Sequence, residues 1–93
     1  MEIEEYANVW DALADTPAQA ANLTARSELM LALRTRVEAW GLTQADAARR
    51  LGLTQPRLND LLRGKLDKFS LDALVNLVPA AGLALHLHVA DAA

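Results

Sequence analysis

With 93 residues, a formal charge of −3 and no cysteine, the chain is sized for one domain and excludes disulfides, thiolate metal sites and cysteine nucleophiles. Alanine and leucine dominate its apolar residues and aromatics make up only 4%, so the expected core is all-helical. The acidic start Met1-Glu2-Ile3-Glu4-Glu5 lacks the pattern of a secretory signal, and no apolar stretch reaches the ~20 residues that span a bilayer. A soluble cytoplasmic protein without membrane contact is expected.

The first expected element is an amphipathic helix from Ile3 to Ala14, with Ile3, Tyr6, Val9, Trp10 and Leu13 at helical spacing. Asp15-Thr16-Pro17 ends it, and Thr16 is placed to cap the next element. Residues 17–25 read as either an Ala-rich helix start or a connector. A longer helix runs from Asn22 or Ala25 to Trp40, with Leu29, Leu33, Val37 and Trp40 on one stripe, Met30 beside it and Gly41 as its stop. Thr43 caps a helix from Gln44 to Leu51 that ends at Gly52. Thr54 caps the next helix, which tolerates Pro56 in its first turn and runs to Arg63 before Gly64.

After a loop from Lys65 to Phe69, Ser70 caps a helix from Leu71 to about Ala81, with Leu74, Leu77 and Val78 inward and Pro79 late in its course. From Leu83 to Val89 the period changes to strict alternation, the signature of a β-strand. A lone strand leaves its backbone groups unpaired, so this one requires a partner within the chain or on another molecule; a second copy of the chain is the candidate, and the alternative is a frayed tail packed on its own domain.

The segment from Gln44 to Leu61 carries the function. Ala47, Leu51, Leu53, Leu58 and Leu61 fall where two crossed helices bury them, Ala48 allows close approach, and Gly52 supplies the sharp turn. An ordinary pair of bundle helices would use the same inward residues. What separates the two readings is the outward set Thr54, Gln55, Arg57 and Asn59: Gln and Asn match the edge of adenine and Arg that of guanine. The charge agrees locally. Residues 1–40 carry seven acids against three arginines, whereas from Arg49 to Lys68 six cations face only Asp60 and Asp67.

This stretch resembles the Xre/Cro family of helix-turn-helix domains. Most of the chain further resembles the HigA-like antitoxins of type II toxin-antitoxin modules, through Thr16-Pro17-Ala18-Gln19-Ala20-Ala21-Asn22-Leu23, Arg26-Ser27-Glu28-Leu29-Met30, Gly41-Leu42-Thr43-Gln44-Ala45-Asp46-Ala47-Ala48, Thr54-Gln55-Pro56-Arg57, Leu61-Leu62-Arg63-Gly64-Lys65 and Phe69-Ser70-Leu71-Asp72. The resemblance implies an all-α, five-helix, lambda-repressor-like domain with an N-terminal helical arm and a short C-terminal β-strand. It also implies a homodimer that binds a palindromic operator in its own promoter and neutralises a RelE/HigB-like ribonuclease toxin.

On that reading residues 1–22 form the N-terminal helix and connector, a candidate toxin-contacting arm, and residues 23–93 the DNA-binding domain with its dimerisation strand. Gln44 and Lys65 hold phosphates with Arg63 as a helper, Gln55 and Asn59 read bases, and Arg57 contacts either a base or the backbone. The stripe Tyr6, Val9 and Trp10 is either core or the toxin-docking surface. The alternative is a stand-alone phage-type or metabolic repressor with no toxin partner. No metal or cofactor is expected, since His86 and His88 are two ligands without a third. Nor is catalysis: Ser27 lacks an evident base and no Gly-rich phosphate loop occurs.

Overall fold

In the computed structural model, which describes residues 16–92, Thr16 starts the first helix as expected: its hydroxyl accepts from the Gln19 amide at 3.1 Å, and Pro17 fills the first helical position. The helix, α1 (Pro17–Trp40), is a single rod of 24 residues, about 36 Å at 1.5 Å per residue. Residues 17–25 thus belong to the helix, and the expected boundary after residue 22 falls inside it. Their sequence hid this because alanine favours helix without marking a buried face.

Met30, Leu33 and Val37 form the buried stripe of α1, with Leu29 and Trp40 partly buried beside it. Against it pack α3 (Gln55–Leu62), the short 3-10 turn Leu66–Lys68 and α4 (Leu71–Leu77), while α2 (Gln44–Leu51) packs on α3. Leu33, Leu58, Leu61 and Leu74 are fully shielded and Phe69 nearly so.

The expectation of five helices and a C-terminal strand needs correction. Among the described residues there are four α-helices and no strand; the expected helix Ile3–Ala14 lies outside them. The alternating residues from Leu83 to Val89 form no ladder and all but Leu83 are exposed, because the described chain offers no second strand with which to pair. The last helix also stops short of Ala81. Pro79 has no amide to donate to Val75, so the chain leaves α4 after Leu77 and turns through residues 78–82. Among the described residues no helix is long and apolar enough to cross a membrane.

Gly52 joins α2 to α3 with φ of 72°, and Leu53 then donates to the Ala48 carbonyl at 2.8 Å, closing a Schellman turn. A Cβ at this position meets nothing within 4 Å, so the backbone alone penalises substitution. Gly52→Ala is expected to cost about 1–2 kcal/mol, read as a fall of several degrees in the melting temperature by circular dichroism with helix content retained.

Candidate nucleic-acid interface

The α2–α3 pair is built from its caps. Thr43 accepts from the Asp46 amide at 3.2 Å, and this places Gln44 at the exposed first position of α2. Asp46 also pairs with Arg49 at 2.9 Å on the solvent side. Thr54 does for α3 what Thr43 does for α2, accepting from the Arg57 amide at 3.2 Å. Its hydroxyl therefore shapes the helix start as well as facing outward. Pro56, in the first turn, removes an amide that has no intrahelical acceptor in any case.

Ala47, Ala48, Leu51, Leu58 and Leu61 are buried between the helices and against α1, with Leu53 partly so. Gln55 and Asn59 of α3 and Arg63 at its C-cap succeed one another at intervals of four, forming a row that flanks the buried Leu58 and Leu61. Gln55 and Arg63 are exposed and Asn59 half-buried. The structure places Gln55 and Asn59 one turn apart on one row of α3.

The remaining expected residues lie around this row. Arg63 closes α3 as its C-cap. Gly64, with φ of 72°, continues into a second Schellman turn, and a Cβ there would stand 3.1 Å from Nη1 of Arg34. The same turn fixes Lys65 twice: its amide donates to the Asp60 carbonyl at 3.1 Å, and its Nζ lies 3.5 Å from the Asp60 carboxylate. Arg57 is placed otherwise than a freely extended reader. Its guanidinium lies over the Phe69 ring, 4.0 Å from the centroid, and Nη1 donates to the carbonyl of Lys68. Tyr6, Val9 and Trp10 lie outside the described residues.

Two contributors escaped the sequence reading. Arg50 of α2 stacks over the Trp40 ring at 4.2 Å and ties the pair to the end of α1. Arg26 of α1 reaches the carbonyls of Leu66 and Phe69 at 2.9 and 3.2 Å. Nothing in the polar surroundings of Arg26, between Thr24 and Ser27-Glu28, signals the second. Lys68 is exposed next to these contacts.

A pair of short helices crossed through alanine and leucine, whose second member turns amides outward among cations, is the helix-turn-helix class of DNA-binding fold. The chain belongs to the helix-turn-helix domain family, whose model matches residues 12–90. No curated protein is significantly similar to it.

Because Thr54 caps α3, Thr54→Ala is expected to destabilise the domain by about 1 kcal/mol and Thr54→Ser to restore most of the loss. The urea unfolding midpoints of the two variants and the wild type check this.

Proposed function

We propose that the chain is a sequence-specific DNA-binding regulator that inserts α3 into the major groove. The observation that carries this reading is the row of Gln55 and Asn59 that flanks the buried Leu58 and Leu61 of α3. Both amides have the paired donor and acceptor that adenine presents in the major groove. Gln44 at the start of α2, Arg63 and Lys65 flank the row and contact phosphates. Thr54 supports the row as the cap of α3 and lies near the backbone. Arg57 meets the DNA backbone from its place on Phe69. The chain's net charge of −3 is no obstacle, since cations outnumber acids between Arg49 and Lys68.

The chain acts as a homodimer on a palindromic operator, because one short helix reads too few bases alone. Exposed apolar side chains at Leu31, Leu85, Leu87 and Val89 supply a face for the second copy, Leu87 and Val89 being 83% and 91% exposed. Beside them an apolar groove of about 290 Å³ opens between Leu29, Leu33, Val78, Leu83 and Leu85. The finer role is that of a HigA-like antitoxin and autorepressor that neutralises a RelE/HigB-like ribonuclease. Its support is the resemblance of the runs at Thr16–Leu23 and Phe69–Asp72, which lie outside the general motif.

A mobility-shift assay on the DNA upstream of the chain's own gene tests the DNA reading. Gln55→Ala is expected to lose about 1–3 kcal/mol of preference for the operator over scrambled DNA. Lys65→Ala should weaken both duplexes alike and reduce the salt slope by about one. Unchanged sequence preference in both Gln55→Ala and Asn59→Ala would refute the placement of α3.

The antitoxin role is tested by co-expression with the product of the adjacent gene. A stable complex that abolishes ribonuclease activity is expected, and two proteins that elute separately would leave a repressor without a toxin.

A further inference from the structure

Residues 65–69 carry the chain from the helix pair into α4, and they have little secondary structure of their own. Inside the 3-10 turn the bonds are short-range: Leu66 to Gly64 at 2.9 Å, Lys68 to Lys65 at 3.0 Å and Phe69 to Leu66 at 3.2 Å. A helix of three residues has no further turn to take up the carbonyls at its end. Two arginines from separate elements do so instead. Arg26 of α1 donates from Nη1 to Leu66 and Phe69, and Arg57 of α3 donates from Nη1 to Lys68.

Each arginine is itself held in place. Nε of Arg26 donates to Oδ1 of Asn22 at 2.6 Å, one helical turn earlier. Arg57 is flattened on the ring of Phe69, which is only 2% exposed. A planar guanidinium suits this task, since it can address several acceptors from one fixed orientation, as an ammonium cannot. The choice of donors is also electrostatically pointed. The turn already carries Lys65 and Lys68, and both clasps add positive charge to it, with Asp60 and Asp67 as the nearby counterweights in sequence.

We propose that Arg26 is a positioning residue that, alongside the contact from Arg57, holds residues 65–69 as a preformed phosphate-binding ledge, acting through the turn without touching DNA. The proposal rests on the DNA-binding reading above. Holding the ledge before DNA arrives removes the entropy cost of ordering it on binding. Lys65 and Lys68 then meet phosphates from a fixed backbone. Loss of Arg26 removes their contacts without altering the row that reads bases.

The test is a titration of the operator duplex and a scrambled duplex of equal length, at several salt concentrations, with the full chain and its variants Arg26→Met, Arg26→Lys and Lys65→Ala/Lys68→Ala. Arg26→Met is expected to weaken both duplexes by the same factor, about tenfold, and to shallow the salt slope by about one to two. Arg26→Lys, which keeps the charge, should fall between it and the wild type. Adding Arg26→Met to Lys65→Ala/Lys68→Ala should change affinity by less than about twofold, because the contacts it supports are already gone.

Amide exchange at Lys68 and Phe69 should be faster in Arg26→Met than in the wild type, a readout that needs no DNA. If Arg26→Met fails to fold, Arg26→Lys carries the same measurements. Wild-type affinity and slope in folded Arg26 variants would overturn the ledge, as would a loss confined to the operator duplex or full additivity with the lysine changes. Faster exchange with unchanged affinity would overturn it too, leaving the DNA reading intact. A wild-type chain that binds neither duplex would instead overturn that reading and the proposal with it.

Discussion

The burial of Leu33 on α1 against Leu58, Leu61 and Leu74 is the interaction from which the rest of the domain takes its geometry. All four side chains are removed from water, each contributing roughly 1.5–3 kcal/mol by burial. Two of them belong to α3. The rotation of α3 about its axis is therefore set by the side chains it buries: with Leu58 and Leu61 in the core, Gln55 is left exposed and Asn59 half-buried along the neighbouring row. The position of α2 is then set by α3, through Ala47, Ala48 and Leu51 and the turn at Gly52.

A small core of this kind leaves problems at the ends of its short helices, and the structure meets each with a local device. Thr16, Thr43, Thr54 and Ser70 each accept the amide three residues on. At the other ends, glycines in the left-handed region let the chain reverse and return its amides to the last carbonyls. Where the 3-10 turn admits neither solution, side chains from α1 and α3 supply the donors. Charge is thus drawn to a stretch of backbone with little secondary structure of its own, just beyond the end of α3.

Most of this was legible in sequence wherever local chemistry decides the outcome. The spans of α2 and α3 and the inward set Ala47, Leu51, Leu58 and Leu61 are dictated by caps, glycines and helical period, and they stand as expected. The cap at Thr16 was legible, but the continuity of residues 17–25 with the rest of α1 was left open, because alanine carries no facial signal. The alternation from Leu83 to Val89 misled for the opposite reason: its period is that of a strand, but pairing needs a neighbour that the sequence of one chain does not contain. The engagement of Arg26 with Leu66 and Phe69 spans about forty positions, beyond the reach of any periodicity. Likewise Arg57 shows in the sequence as an outward cation, and only the arrival of Phe69 from beyond α3 gives its guanidinium a surface on which to rest.

The stacking of Arg50 on Trp40 places an indole at the joint between the long helix and the α2–α3 pair. The chain has two tryptophans, so replacing Trp10 leaves Trp40 as a single emitter. Its fluorescence depends on the cation over its ring, and that cation rides on α2. A movement of the α2–α3 pair relative to α1 would lift that cation from the ring, so Trp40 sits where it reports on the joint.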